Sequence, residues 1–395
     1  MTGNWHFRLS LLVGMLCMSV GAAEKPAPGQ PWSEKMQKLS LTLSDLMPEL
    51  VSSRPPDAKT LKKLQAGSKQ ITELAHQIKM GATVGGTKNP VPPDADPSLA
   101  LLSSLFEREA KSAARALQSG NVEYGKASLR LVTGYCISCH TRDDQGPQFP
   151  ALPLNTKIDK LTRMERAQLF AATRQFDRAL EEFEGVISDP SIASKRQIEW
   201  GRAVRHAFTI AVRVQKDPER ALKIIKRVEG LPAIPVLFRD FITAWKKSIT
   251  DWKKEGKKAV DTEEELFAEA KRLGSEAEST QKYPMDHSAD VLYLRVSMAA
   301  HELLGKFPDG KHTAETLLLL GNAYDLLDDH LISPLPEMYY ETCIRRTPHS
   351  AIAEQCFQRY EADVYFGYTG SGGTSIPEDI AVNLKELKEL SKPKA

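Results

Sequence analysis

Apolar residues recur along most of the chain at the three- and four-residue spacing of amphipathic helices. In the first such segment, residues 32–51, the apolar positions are Met36, Leu39, Leu43, Leu46 and Leu50. A second stripe of the same kind covers residues 58–80. Each stripe predicts a helix that buries one face. Pro55 and Pro56 fall between the two segments and prevent one continuous helix.

Two more helices follow in the first third of the chain. The Gly- and Pro-rich stretch over residues 81–97 shows no alternation of apolar and polar residues, so it predicts a loop. A third helix is predicted from about Ser98 and a fourth after Gly120. Four amphipathic helices joined by turns predict an up-down-up-down four-helix bundle. Because the rest of the chain is also helical in pattern, the predicted fold class is all-α.

The fourth helix ends in Cys136, Cys139 and His140, which form the motif C-x-x-C-H. This spacing lets both thiols bond covalently to one haem while the imidazole ligates its iron. A zinc site would need further thiolates, and a thioredoxin-like dithiol would need a surrounding βαβ pattern; the sequence offers neither. The remaining alternative is a chance match.

The first 23 residues predict the compartment in which the protein works. Arg8 precedes the apolar run LSLLVGMLCMSVGAA, which is short for a membrane span and ends in small residues. This arrangement predicts a secretory signal peptide over residues 1–23, cleaved after Ala23. Leu16 before Cys17 argues against a lipoprotein anchor. We therefore expect a periplasmic protein with no transmembrane segment in the mature chain, in a compartment where haem c is attached.

Two stretches carry a resemblance to known haem proteins. GNVEYGKASLRLVTGYCISCH resembles the last helix of cytochrome c′, in which C-x-x-C-H closes a four-helix bundle. SEKMQKLSLTLSDL is similar to the first helix of the related soluble four-helix cytochrome b, whose early Met faces the iron. The resemblance covers about residues 31–142 and implies a c-type cytochrome domain over residues 24–146. After His140 the sequence TRDDQGPQFP departs from the basic, aromatic end usual in cytochrome c′.

The distal side of the iron has several candidate residues. In an up-down bundle the start of helix one lies beside the end of helix four, so Met36 is predicted level with the motif as the distal ligand. His76 and Met80, near the end of helix two, reach the same level and are rivals. If Met36 only fills the core, Leu39 or Leu43 would shield an open sixth position, as in gas-binding members of the family.

After a predicted linker over residues 147–156, the pattern resembles tetratricopeptide repeats. In the first match, small or aromatic residues and a final proline stand where that repeat has them: Ala167, Phe170, Phe176, Ala179, Phe183 and Pro190. Gly321 and Tyr324 occupy the small and aromatic positions of a second match. These units are helix–turn–helix repeats of about 34 residues that stack on each other. The prediction is a tetratricopeptide-like α-solenoid over residues 157–395, and the alternative is an irregular helical domain.

The last two cysteines predict a disulfide. Of five cysteines, one belongs to the signal peptide and two to the motif, which leaves Cys343 and Cys356. Thr347 and Pro348 should end one helix between them, so the two thiols could approach the Cα separation of roughly 5.5 Å that a disulfide needs. An oxidising compartment favours the bond. The alternative is two buried thiols.

Charge and composition restrict the classes of function. The 395 residues include 53 Lys and Arg against 51 Asp and Glu, so overall charge gives no indication of nucleic-acid binding. The one Lys-rich aromatic stretch, FITAWKKSITDWKKEGKK, has Phe241, Trp245 and Trp252 at helical spacing. That spacing favours a buried stripe with solvated lysines over a nucleic-acid surface.

These observations predict an exported monohaem c-type cytochrome that carries out outer-sphere electron transfer with a redox partner protein. The helical repeats would dock a protein partner, and cytochrome c′ relatives often form homodimers through their first two helices. We expect no enzyme, because the sequence has no recognisable Ser/His/Asp set, carboxylate pair or second metal site. One alternative is a five-coordinate haem protein that binds NO or CO as a sensor or scavenger. Another is a scaffold in which haem serves mainly for folding.

Overall fold

The computed structural model describes residues 32–80, 96–144, 158–256, 260–283, 286–327 and 334–394. It is 81% helical with almost no strand, so the predicted all-α class is confirmed. In these ranges we find no helix that combines the length and apolar character needed to cross a bilayer. The predicted signal peptide over residues 1–23 and the predicted linker over residues 147–156 lie outside the described residues.

The first four helices have bounds close to those that the apolar pattern predicts. They are α1 (Trp32–Val51), α2 (Ala58–Met80), α3 (Pro97–Gln118) and α4 (Val122–His140). Side-chain caps begin two of them. Asp57 accepts a hydrogen bond from the Thr60 amide at 2.7 Å, and Asp96 accepts one from the Ser98 amide at 3.0 Å. Such caps satisfy amides that a helix start leaves without partners.

Helices α2 and α3 pack side by side in opposite directions. Gln65 donates to the carbonyl of Leu117 at 2.9 Å. About two helical turns further along α2, Thr72 donates to the carbonyl of Ala110 at 3.0 Å. As the residue number rises on α2 it falls on α3, which fixes the antiparallel order.

Helices α1 and α4 are also antiparallel neighbours, and α3 packs against α4, so the four helices close into a ring. Lys126 donates to the carbonyl of Ser52 and Arg130 to the carbonyl of Leu50, each at 2.5 Å. These bonds join the start of α4 to the end of α1. The start of α1 therefore lies on the side of the ring where α4 ends.

Six helices and a π-helical turn follow. They are α5 (Arg163–Ala172), α6 (Phe176–Ile187), α7 (Pro190–Lys195), α8 (Gln197–Phe208), α9 (Pro218–Glu229) and α10 (Arg239–Glu255), with the π-helix Thr209–Val214 after α8. Four positions of the first repeat-like match, Ala167, Phe170, Ala179 and Phe183, are buried in this group, whereas Phe176 is partly buried and Pro190 is exposed. Of the stripe predicted from helical spacing in α10, Trp245 and Trp252 are buried and Phe241 is partly buried.

The remaining elements are α11 (Glu263–Thr280), α12 (Asp290–Lys306), α13 (Thr313–Leu327), α14 (Leu335–Arg346), α15 (Ala351–Tyr368), β1 (Thr369–Gly370), β2 (Gly373–Thr374) and α16 (Glu378–Ser391). The two short strands form an antiparallel hairpin. Gly321 lets α13 and α14 approach closely, since a Cβ atom there would lie 2.2 Å from the ring of Tyr340. A small residue at this position is therefore a packing requirement.

Of the three hydrophobic clusters among the described residues, the two larger meet at α4. The first cluster contains residues of α1–α4 together with residues of α11–α16. The second contains residues of α5–α10 together with Ile137 of α4 and with Val291 and Leu294 of α12. Helix α14 packs on α3, and α5 packs on α4. The end of α4 therefore lies where the two cores join.

Cys343 of α14 and Cys356 of α15 are joined as a disulfide with a Cα separation of 6.3 Å. Both residues are fully buried. Helix α14 ends at Arg346 and α15 begins at Ala351, so the turn lies where Thr347 and Pro348 were expected to interrupt the helix. The bond joins α14 to α15, and both cysteines belong to the first cluster.

We expect the double substitution Cys343→Ser and Cys356→Ser to lower the free energy of unfolding by about 3 kcal/mol. The bond closes a loop with a sequence separation of 13, and its loss restores chain entropy to the unfolded state. Urea unfolding of both proteins, with and without reductant, measures the effect. Reductant should weaken the wild type and leave the double variant unchanged. Alkylation of both thiols in unreduced, unfolded wild type would contradict the prediction.

Candidate functional site

Cys136, Cys139 and His140 lie together in the last turn of α4. Because they occupy positions i, i+3 and i+4, their side chains share one face of the helix. Both thiols are free and partly buried. Cys136 packs against both hydrophobic clusters and Cys139 against the first. The motif therefore lies at the junction of the two cores, where an attached group would be held between them.

The two thiols have the electrostatic environment of protonated, unreactive cysteines. Burial, with a further contribution from Cys139, raises the pKa of Cys136 to about 12. Burial also raises the pKa of Cys139. A redox-active C-x-x-C pair works through a thiolate whose pKa is lowered. These surroundings do not fit a thioredoxin-like dithiol.

His140 is held through one ring nitrogen. Its Nδ1 lies 2.8 Å from the carbonyl oxygen of Ala172, the last residue of α5. A carbonyl only accepts hydrogen bonds, so Nδ1 carries the proton and Nε2 keeps its lone pair. Burial, and then the nearby Arg174 cation, lower the pKa of His140 to about 4. At neutral pH the side chain is a neutral imidazole with Nε2 ready to bind a metal ion, oriented by its second nitrogen.

The backbone that follows the motif is bound by side chains from the second half of the chain. A helix leaves its last carbonyls without partners inside the helix. Here Arg174 donates to the carbonyl of His140 at 3.1 Å, and Arg213 donates through Nε to the carbonyl of Thr141 at 2.6 Å. Thr141 itself bonds back to the carbonyl of Ile137 at 2.8 Å. Two guanidinium groups therefore cap the end of α4.

Arg213 owes its position to a local change in helix geometry. It lies in the π-helix Thr209–Val214, in which the Gln215 amide donates to the carbonyl of Ile210 at 2.8 Å. The wider turn rotates the side chains that follow, and π-helical turns occur often at functional sites. Arg213 is buried and also donates to the hydroxyl of Tyr324 at 3.0 Å. No pattern in the sequence predicted this turn.

A buried polar network centres on Asp96 and includes Arg142, which follows the motif in the chain. Its Oδ2 lies 3.1 Å from Nη1 of Arg142 and 2.8 Å from Nδ1 of His301. The hydroxyl of Tyr339 donates to Oδ1 at 3.3 Å. The other ring nitrogen of His301 lies 2.8 Å from the hydroxyl of Tyr324. All five residues are buried.

The charges in this network are balanced. Burial by itself would raise the pKa of Asp96, but Arg142 and His301 hold that pKa well below its usual range. Burial lowers the pKa of His301 and exceeds the opposing effect of Asp96. At neutral pH the network therefore contains an ionised Asp96–Arg142 pair and a neutral His301. The carboxylate fixes the start of α3 against the segment after the motif.

The candidates for a distal ligand lie in different surroundings. Met36 is buried and belongs to the first hydrophobic cluster, against which Cys136 and Cys139 pack. The Nδ1 of His76 lies 2.8 Å from a carboxylate oxygen of Glu107, and 59% of the His76 side chain is exposed. His76 is therefore engaged at the surface between α2 and α3. Met80 ends α2, and its side chain lies outside the described residues.

In the ranges that the structure describes, His, Cys, Asp and Glu side chains do not gather in groups of three or more that could hold a metal ion. No protein-family model, curated protein or solved structure matches the chain. What indicates a function is therefore the geometry of the motif and of the residues that surround it.

The Asp96 network gives a prediction about stability. Asp96→Asn keeps a good helix cap but removes one of the two carboxylates that pair with the buried Arg142, the other being that of Asp143. We expect the free energy of unfolding to fall by about 3 kcal/mol at pH 7. Because the folded-state pKa of Asp96 is lowered, its stabilising effect is present above about pH 4 and is lost as the pH falls further. The difference between the two proteins should therefore shrink in acid.

Urea unfolding at pH 7 and pH 3 measures this effect. The matched control is Asp189→Asn, which changes another helix-capping aspartate whose side chain is solvent-accessible, so stability should change little. Equal losses in the two variants would show that the buried ion pair does not stabilise the fold.

Proposed function

We propose that this protein is an exported monohaem c-type cytochrome that transfers electrons to and from a partner protein. The observation that carries the proposal is the hydrogen bond from Nδ1 of His140 to the carbonyl of Ala172 at 2.8 Å. It prepares a neutral imidazole for iron on the same helical face as two cysteines at the spacing of haem attachment.

The residues present fit a haem c group. The thiols of Cys136 and Cys139 would bind it through two thioether bonds, and Nε2 of His140 would ligate its iron. When bound, the haem supplies a one-electron ferric–ferrous couple. The chain's own contribution is to fix the imidazole through Ala172 and to surround the motif with apolar side chains from both clusters. Rigid, water-poor surroundings suit outer-sphere electron transfer because little has to rearrange.

The first four helices support a cytochrome c′-like domain. They pack in a closed antiparallel ring, and the start of α1 lies where α4 ends. Met36 would then supply its thioether sulfur as the distal ligand, as the sequence analysis predicts. Its burial in the cluster against which the motif cysteines pack supports this role. A thioether ligand from Met36 would compete with NO or CO for the iron and would so favour electron transfer over gas binding.

The second half would serve as a tetratricopeptide-like repeat region that docks a protein partner. Helices α5 and α6 pack together, and four of the repeat's small and aromatic residues are buried there, including Ala167 and Ala179. A capping box of Thr162 and Glu165 begins α5. We place the protein in the periplasm, where the disulfide Cys343–Cys356 and haem attachment would both be supported.

Covalent attachment tests the proposal most directly. Expressed with a haem c attachment system, the wild type should keep its haem after denaturation, measured by absorbance and by the mass of the unfolded chain. Cys136→Ser with Cys139→Ser should release all covalent haem, because both thioethers are lost. The control is Cys343→Ser with Cys356→Ser, which removes the other two described cysteines and should retain haem. A wild type without covalent haem would refute the proposal.

Replacing Met36 with Ala tests the distal ligand. A thioether ligand stabilises ferrous iron, so the variant should have a lower reduction potential and its ferrous form should bind CO. The control His76→Ala should resemble wild type, because His76 is engaged with Glu107 at the surface. Redox titration and CO difference spectra provide the measurements. A wild type that is already high-spin and binds CO readily would remove Met36 from the iron and favour the NO- or CO-binding alternative.

A further inference from the structure

Two cationic residues in turns of the second half have an unusual backbone conformation. In the described ranges the non-glycine residues with positive φ are Arg174 at 58°, Lys216 at 51° and His349 at 63°. This left-handed region is strained for residues other than Gly, Asn and Asp. Helix–turn–helix turns usually place Gly or Asn there. The cationic side chains must therefore make contacts that offset the strain.

Arg174 and Lys216 occupy equivalent places in two turns. Arg174 lies between α5 and α6, immediately before Gln175, the N-cap residue of α6. Lys216 lies between the π-helix and α9, immediately before Asp217, the N-cap residue of α9. In each turn a backbone amide donates to a carbonyl more than one helical turn earlier in the chain. The Gln175 amide donates to the carbonyl of Phe170 at 2.8 Å, and the Asp217 amide donates to that of Ala211 at 2.9 Å. Each turn therefore places a cationic side chain one residue before the N-cap of the next helix.

Both cations reach the segment that begins at the iron-ligand candidate. Arg174 donates to the carbonyl of His140 at 3.1 Å and lies 3.5 Å from that of Asp144. Lys216 lies 3.2 Å from the carboxylate of Asp144 and 3.0 Å from that of Glu302 on α12. The two side chains therefore bind both ends of residues 140–144.

The bonds between His140 and α5 are reciprocal. The imidazole of His140 donates to the carbonyl of Ala172, and the guanidinium of Arg174 donates to the carbonyl of His140. Each hydrogen bond helps to hold the other in place, because Ala172 and Arg174 belong to the same turn. Displacing this turn would move the acceptor that orients the imidazole.

We infer that Arg174 and Lys216 are positioning residues that clamp residues 140–144 and hold the imidazole of His140 in its iron-binding orientation. The inference rests on the proposed function for its iron, and on the described contacts for the clamp itself. Arg174 also sets a positive charge beside His140. When haem is bound, that charge would oppose the additional positive charge of ferric iron and would so favour the reduced state.

Arg174→Gly separates the clamp from the stability of the turn. Glycine adopts positive φ without strain, so a residue that only shapes the turn would give a variant at least as stable as wild type. We expect the melting temperature to stay within a few degrees of wild type. Amide exchange over residues 137–144 should nevertheless accelerate about tenfold or more, because a charge-assisted hydrogen bond is lost. The reduction potential should fall. Lys216→Gly should accelerate the same exchange.

His349→Gly is the matched control. It relieves the same kind of backbone strain, but His349 contacts the carbonyls of Leu390 and Lys392 at the end of α16. Exchange over residues 137–144 and the reduction potential should stay at their wild-type values. Arg174→Lys retains the positive charge and should keep the potential closer to wild type than Arg174→Gly does.

The outcomes separate the two proposals. Wild type without covalent haem refutes the proposed function and, with it, the iron-positioning role. Wild type with haem, combined with an Arg174→Gly variant whose exchange and potential match wild type, overturns the clamp while leaving the cytochrome proposal in place. Faster exchange in the haem-loaded variant with a lowered potential supports both.

Discussion

The buried carboxylate of Asp96 is the constraint on which the middle of the structure depends. A buried charge without partners costs several kcal/mol, so the fold must supply them. Arg142 comes from the segment after α4, His301 from α12 and Tyr339 from α14. Satisfying one side chain at the start of α3 thus draws three distant parts of the chain together. The helices of the second half are held against α3 and α4 by this requirement as well as by apolar contact.

The end of α4 imposes a second requirement of the same kind. Its last carbonyls need donors, and water is largely displaced where the two hydrophobic clusters meet. The donors come from the turn after α5 and from the π-helix, as Arg174 and Arg213. Both are cations, so they also complement the negative end of the helix dipole. In a region of low dielectric constant these interactions are stronger than at the surface. Neither half of the chain alone contains all the groups that fix the motif.

Much of the fold could be predicted from the sequence, because its signals are local. The bounds of α1–α4 follow from apolar spacing, prolines and caps, and the C-x-x-C-H motif marks the site by itself. The partners of the site could not be predicted in this way. Asp96 and His301 are 205 residues apart, and Arg213 and Thr141 are 72 apart. Nothing in the sequence around His301 indicates its role, since pairing across the chain leaves no periodic pattern. The left-handed Arg174 was also unpredictable, because residue preference there favours glycine.

Three elements control three separate properties of the proposed haem site. Helix α4 would provide the attachment through its cysteines, α1 would provide the distal sulfur of Met36, and α5 provides the carbonyl that orients His140. The orientation of His140 differs from the other two properties because it depends on a backbone carbonyl. No substitution of the Ala172 side chain removes that acceptor. Only a shift of α5 would weaken that hydrogen bond and so change the basicity of the imidazole. Arg174, in the turn after α5, donates to the carbonyl of His140. Substituting Arg174 is therefore a side-chain change that would alter the position of α5 relative to His140.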